Sequence, residues 1–175
     1  MQSVHVTPLE ANGPKTVSAD QISGKYLIFQ LASEEFGIKV LKVREIMGVQ
    51  EITSVPQTPS FVKGVINLRG KVIPVVDLRL KFGIPELEYT QRTCIIVVQA
   101  EKESGVVLMG IVVDGVVEVL NLAGSDIEDT PDFGNGADAS YLLGMAKVKG
   151  RVKILLDIDR VLAGHELVGV GTVLQ

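Results

Sequence analysis

The chain has 175 residues, 46% of them hydrophobic and 22% charged, with a formal net charge of −4. That size suits one domain or two very small ones, and it buries roughly 70% of the unfolded surface without a disulfide or metal staple. The acidic balance argues against nucleic-acid binding through counterion release. The apolar stretch from Gly105 to Val113 is about half the ~20 residues of a membrane helix, and a single cysteine, Cys94, excludes an internal disulfide or a multi-cysteine zinc site.

Residues 1–24 are polar and aperiodic, with Pro8, Gly13, Pro14 and Gly24, and are expected to form a flexible N-terminal tail. The first residues lack the basic and apolar regions of a secretory leader, so the expected location is the cytoplasm. Order begins with Lys25 to Leu31, where Leu27, Phe29 and Leu31 share one face of a strand. Ser33-Glu34-Glu35 is a polar turn, and Phe36 to Val40 returns as a second strand. Val40, Val43 and Met47 fall at i, i+3 and i+7, which predicts a short helical turn over 41–47 with Gly48 as its cap. Glu51 to Val55 reads as another strand, closed by Pro56 and Pro59.

Gly64 to Gly70 leads through a tight Arg69-Gly70-Lys71 step, where glycine permits positive φ, into the strand Lys71 to Asp77. Pro74 removes one ladder donor, which predicts that this strand lies at an edge or a bulge. Leu78 to Phe82 is a helical turn ending at Gly83, and Ile84 to Arg92 is a polar connector. Thr93 to Gln99 and Gly105 to Asp114 are strands around a polar turn at Ala100 to Ser104. Asp126 to Ala139 is a loop whose five acids lack the spacing of a calcium loop and read as solvated. In the segment from Gly144, Val148, Val152, Ile154 and Leu156 share one face. Lys147, Lys149, Arg151 and Lys153 share the other, the pattern of a strand with one wet face. Asp157 is placed to cap a terminal helix, and 163–175 form a C-terminal extension.

The catalytic inventory is thin. The two histidines, His5 and His165, lie near the termini, and neither has a second histidine at metal-ligand spacing. Cys94 sits in an apolar strand with nothing nearby in sequence to lower its pKa, so it reads as structural. Gly64 to Lys71 resembles a phosphate loop but has five residues between its glycines rather than four, and Val72 stands where Ser or Thr would bind magnesium. No GxGxxG or GxSxG occurs. A contact function is favoured over catalysis, and no cofactor or metal is expected.

Gly64 to Leu78 aligns with Gly144 to Ile158 at a constant offset of 80. Both glycines coincide, as do Asp77 and Asp157, and basic residues flank the second glycine in each copy. Upstream, Val43-Arg44-Glu45-Ile46 echoes Val116-Val117-Glu118-Val119. The repeat implies two units of about 65–70 residues, each with about five short strands, enough to close a small barrel. Two barrels side by side leave a groove between them, a common place for binding.

Phe36-Gly37-Ile38, Val43-Arg44-Glu45-Ile46, Gly64-Val65-Ile66-Asn67-Leu68-Arg69-Gly70, Val75-Val76-Asp77-Leu78-Arg79 and Gly110 to Val116 together resemble the motif series of CheW-like domains, from about Lys25 to Leu162. The resemblance implies a mainly β fold of two interlocked five-stranded SH3-like β-barrel subdomains over 25–162, with short helical turns and a C-terminal helix. It implies a non-catalytic chemotaxis adaptor, cytoplasmic and associated with receptor arrays. The implied partners are the regulatory domain of the histidine kinase CheA and the cytoplasmic tips of methyl-accepting receptors, with no nucleic acid and no direct membrane insertion. Arg69, Glu45, Val43, Ile46, Gly64, Asn67 and Leu68 match receptor and kinase coupling positions, with Gly64 and Asn67 shaping the turn that carries Arg69. Cys94, Gly110, Val116 and Val119 match positions lining the inter-barrel groove, and Phe133 matches a loop that contacts kinase or neighbouring adaptors. Cys94 departs from the aliphatic usual at its position. Read without the resemblance, Arg69 is a solvated turn arginine and Glu45 a surface residue paired with Lys42. A non-flagellar chemosensory pathway, or a small-molecule-binding barrel protein, are the alternatives.

Overall fold

The computed structural model describes residues 22–85, 88–134 and 139–163. Of the expected N-terminal tail 1–24, residues 1–21 lie outside the described residues, as does 164–175 of the C-terminal extension; 22–24 are not tail, since Ile22 is buried in a core and Gly24 opens β1. In chain order the elements are β1 (Gly24–Leu31), β2 (Glu34–Lys39), a 3-10 turn at Val40–Lys42, β3 (Val43–Gly48), β4 (Val62–Leu68), β5 (Lys71–Asp77) and the one-turn helix α1 (Leu78–Lys81). The second half holds β6 (Cys94–Lys102), β7 (Gly105–Val113), β8 (Gly115–Leu122), a 3-10 turn at Gly124–Asp126, β9 (Ile127–Glu128), β10 (Leu142–Val148), β11 (Arg151–Leu156) and α2 (Ile158–Val161).

The fold is mainly β, in two sheets. The first has the order β8-β1-β2-β11-β10-β9 and the second β3-β6-β7-β5-β4. Neither sheet is built from consecutive chain. The β1–β2 hairpin of the first half inserts among strands of the second half, and the β6–β7 hairpin of the second half inserts among strands of the first. The two insertions are sealed by the parallel pairs β2–β11 and β5–β7. The repeated units and the sheets are therefore different partitions of the same chain.

This exchange explains the long apolar runs. Leu27, Phe29 and Ile38 of the first sheet meet Ile96, Val98, Ile111 and Val113 of the second in a core between the sheets. The opposite faces also bury side chains, because each sheet curls over a core of its own. Tyr26, Ile28, Ala146 and Leu155 form one such core, and Ile73, Val75, Ile95 and Val97 form the other. A strand covered on both faces needs apolar residues at successive positions rather than alternate ones. Ile95 to Val98 are accordingly all fully buried.

Several sequence expectations are corrected. The segment 43–48 is strand β3, not a helical turn. Its register with β6 shifts between Val43 and Glu45, and the bulge at Arg44 puts Val43 and Met47 on opposite faces. An extra residue in a strand thus produced a spacing that mimics a helix. Of 51–55, only Thr53 makes a bridge, to Val65. Pro74 lies inside the sheet rather than at its edge, since β5 pairs with both β4 and β7, but a bulge does stand beside it, where the β4–β5 register shifts between Val62 and Gly64. Pro74 faces Val65, whose N–H and C=O both bond to Thr53, so its own nitrogen points toward β7, where the ladder starts one residue later at Val75. Strand β6 continues through the expected turn as far as Lys102, with Ala100 buried in the core.

The segment from 144 is a hairpin rather than one strand. Its turn, with Lys149 at φ 53° and Gly150 at φ 77°, reverses the parity of the faces. Lys153 therefore stands opposite Ala146 and is buried, paired with Glu35, while Val152 is exposed. Asp157 does cap α2, accepting the N–H groups of Asp159 and Arg160.

Candidate functional site

The β4–β5 hairpin is closed by two residues, Arg69 at φ 50° and Gly70 at φ 87°. Two successive left-handed residues form the mirror-image turn that matches the right-handed twist of paired strands. Asn67 supports it, its side-chain oxygen accepting the Gly70 N–H at 2.8 Å. Leu68 pairs with Lys71 and packs on the core of the second sheet. Gly64 serves a different purpose from the expected one. It sits five residues before the turn, at φ 138°, where a Cβ would lie 1.9 Å from the Thr53 carbonyl oxygen. It admits the close crossing of 53 over β4. Gly144 does the same in the second copy, where a Cβ would meet the Glu128 carbonyl oxygen at 2.8 Å.

The turn aims Arg69 at Glu45 of β3. The guanidinium NH1 donates to Oε2 at 3.3 Å and NH2 donates to Oε1. The forked contact joins the two outer strands of the second sheet through side chains 24 residues apart. The Arg69 hydrogen bond holds the Glu45 carboxyl below the usual carboxylate range, and Glu45 in turn raises the arginine. Arg69 is thus a turn residue whose side chain is 72% exposed but whose charge is paired. Lys42, expected beside Glu45, instead pairs with Asp159 at 2.7 Å.

The strand registers place the apolar candidates. Val43 and Ile46 stand opposite Val98 and Ile96, on the face turned toward the inter-sheet core. Val116 and Val119 stand opposite Phe29 and Leu27, on the face of the first sheet turned toward the same core. Val43 and Val116 pack against that core, while Ile46 and Val119 are 46% and 54% exposed. Strands β3 and β8 are each the outermost of their sheet. The four side chains therefore continue the inter-sheet core outward to solvent. Cys94 lies at its base, buried, opposite Gly48, which has no side chain to cover it; burial pushes its thiol pKa up.

Gly110 does not join this set. A Cβ there would meet Ile95 and Val75, on the other face of the second sheet. Phe133, 56% exposed, belongs to another feature. It lines a cavity of about 420 Å³ with Phe36, Phe82, Ile84 and Tyr141. There the rings of Phe29, Phe36, Phe82 and Tyr141 stack in series at centroid distances of 6.1, 6.0 and 5.5 Å.

Sequence reading missed the buried network of Asp77, Arg79 and Asp114. Arg79 entered only as part of a motif and Asp114 only as the end of a strand. The available signal was the interruption of two long apolar runs by charge. Among the described residues, no three His, Cys, Asp or Glu side chains are placed to hold a metal ion, and no helix is long and apolar enough to cross a membrane.

Two sheets share one core, an exposed apolar face continues it, and the Arg69–Glu45 pair stands on the other face of β3, since Glu45 lies opposite Val97; this is a protein built for contact. Residues 25–166 match the CheW-like domain family. A chemotaxis protein CheW of Klebsiella aerogenes is 39% identical over 151 residues, covering 86% of this chain and 89% of that protein. A chemotaxis protein CheW of Rhizobium meliloti is 36% identical over 144 residues, covering 82% and 90%. The crystal structure of the scaffolding protein TtCheW from Thermoanaerobacter tengcongensis aligns with a TM-score of 0.72 at 32% identity, covering 83% of this chain and 96% of that one. The chain belongs to the CheW-like domain family, whose members are non-catalytic adaptors of chemotaxis.

Proposed function

We infer that this protein couples methyl-accepting chemotaxis receptors to the histidine kinase CheA, binding the kinase regulatory domain and the cytoplasmic receptor tips, with residues 25–162 as the adaptor module. It acts in the cytoplasm at receptor arrays. The observation that carries this reading is the Arg69–Glu45 ion pair, formed at two positions where the family resemblance puts coupling residues.

The physical chemistry supports it. A helical receptor tip presents apolar anchors at i, i+3, i+4 and i+7, which an apolar face can accept. Val43, Ile46, Val116 and Val119 offer such a face, with Cys94 beneath. The charged pair sets register and partner choice more than affinity, because exposed charges steer and discriminate at modest net gain. Gly64, Asn67 and Leu68 hold the hairpin that presents Arg69. Phe133 and its aromatic cavity supply a second contact surface, suited to the kinase or a neighbouring adaptor.

The test is a pull-down and calorimetric titration with a cognate CheA regulatory fragment. Saturable binding without turnover of any nucleotide is expected, and no binding at tens of micromolar would remove the coupling assignment.

A further inference from the structure

Two ionic clamps stand where the chain crosses between the sheets. At the first crossing, β7 of the second sheet passes into β8 of the first through Asp114. Arg79, just after β5, grips Asp77 with Nε and NH2 at 3.0 and 2.8 Å, and its NH1 reaches Asp114 Oδ1 at 2.9 Å. Asp114 Oδ2 then accepts the Ala32 N–H of the β1–β2 turn, and the Asp114 N–H donates to the Gln30 carbonyl at 2.9 Å. One guanidinium thus ties the end of β5 and α1, in the second sheet, to the β1–β2 turn of the first. The Tyr89 ring lies 5.5 Å from it. Asp77 and Arg79 are fully buried, and Asp114 is 17% exposed.

The second crossing is the counterpart. There β2 of the first sheet passes into β3 of the second through Lys42. Asp159, which follows β11 at the repeat position equivalent to Arg79, pairs with Lys42 at 2.7 Å and accepts the Glu101 N–H of β6 at 2.9 Å. The charges are exchanged between the two sites, and both members of the second pair are 26% exposed. The repeat thus puts a charged clamp at each crossing, one of them built on a fully buried guanidinium, the other on a partly exposed lysine that also lies 3.9 Å from Glu101.

We propose that Arg79 is the positioning residue that sets the angle between the two sheets, and through it the relative placement of the two surfaces an adaptor must present to receptor and kinase together. The proposal rests on the coupling function above only for its consequence. The geometric claim stands on the fold alone. A buried guanidinium satisfied from several elements has one low-energy arrangement, since any rotation of the sheets strips charge-assisted bonds from a desolvated group. The Lys42–Asp159 pair imposes no comparable penalty, because water replaces its bonds.

The test uses the full chain, its buried Cys94 left in place, with nitroxide labels at two exposed valines, Val106 on β7 and Val152 on β11. The inter-label distance distribution is measured by pulsed electron resonance. A narrow distribution is expected in the parent, broadening in Arg79→Met and Asp114→Asn, recovery of neither width nor coupling in Arg79→Lys, and near-parental width in Lys42→Met. In Arg79→Met and Asp114→Asn, binding of the isolated CheA fragment persists while receptor-dependent kinase activation is lost, and Lys42→Met keeps both. If folded Arg79→Met or Asp114→Asn keeps the parental width, the proposal is overturned. It is equally overturned if Lys42→Met broadens as much. Loss of the fold in both Arg79→Met and Asp114→Asn would make the network a stability element alone. Failure of the parent to bind the CheA fragment would instead overturn the coupling function and leave the distance result to stand by itself.

Discussion

Replacing Gly64 with alanine tests the close crossing that the repeat builds into both copies. The added Cβ would sit 1.9 Å from the Thr53 carbonyl oxygen and 3.0 Å from the Ser54 Cα, all backbone that no side-chain rotation can relieve. Thr53 must retreat by more than an ångström, which breaks its two bonds with Val65 at 2.8 and 2.9 Å. Each such bond contributes about 1 kcal/mol, and a side chain at φ 138° adds about 1–3 kcal/mol of strain. The expected loss is about 3–5 kcal/mol, a large share of the ~5–15 kcal/mol that holds a typical domain folded. In urea denaturation followed by circular dichroism, at a slope of about 2–3 kcal/mol per molar, the midpoint falls by about 1–2.5 M. Gly70→Ala is the control. Its φ is 87° but no atom lies within 4 Å of the added Cβ, so only the backbone cost of about 1–2 kcal/mol applies. A Gly64→Ala midpoint equal to that of the parent, or a larger loss in Gly70→Ala, would refute the crossing as the reason for glycine.

The remaining expectations concern single groups. Arg69→Glu keeps the fold, because the turn is exposed, but uncouples the kinase from receptor; normal activation of CheA by that variant removes Arg69 from the site. Because the Arg69 hydrogen bond lowers the Glu45 pKa, the pair's contribution is present above the ordinary glutamate value and is lost as pH falls through the folded one. A carboxyl titration by NMR should show Glu45 returning upward in Arg69→Gln, and an unmoved titration contradicts the pairing. Tyr26 is buried, donates its hydroxyl to the Ile22 carbonyl, and has its pKa pushed up to about 12. With a raised folded value, its contribution is complete below pH ~10 and fades as pH rises toward the folded pKa. The tyrosinate absorbance step near 12 should vanish in Tyr26→Phe. Cys94, with its thiol pushed up by burial, should react with a thiol reagent at the rate of unfolding; rapid labelling of the native protein would contradict its place at the base of the apolar face.

Much of the site was legible for local reasons. Gly70 announces a tight turn because it accepts left-handed backbone at little cost, and Asn67, which the resemblance placed at that turn, bonds it. Leu27, Phe29 and Leu31 announce a strand face by alternation alone. Where reading failed, the local pattern had a second cause. The bulge at Arg44 imitated a helical spacing. The turn at Lys149 and Gly150 reversed a parity that had put Lys153 in water. Pro74 suggested an edge because its missing donor could be judged only once its neighbours were known.

What the sequence determined by itself was composition, periodicity and turn chemistry. Those set a β-rich chain of two related units, poor in catalytic groups, with a basic turn in each unit. Only the tertiary structure decided which strands pair. Every extended segment offers the same backbone donors and acceptors, so the exchange of hairpins between halves is settled by the joint packing of three cores. That exchange is what brings Arg69 to Glu45, leaves Gly110 and Cys94 on opposite faces, and seals Arg79 between the sheets. Each is a meeting of residues far apart in the chain, and no local pattern carries the distance between them.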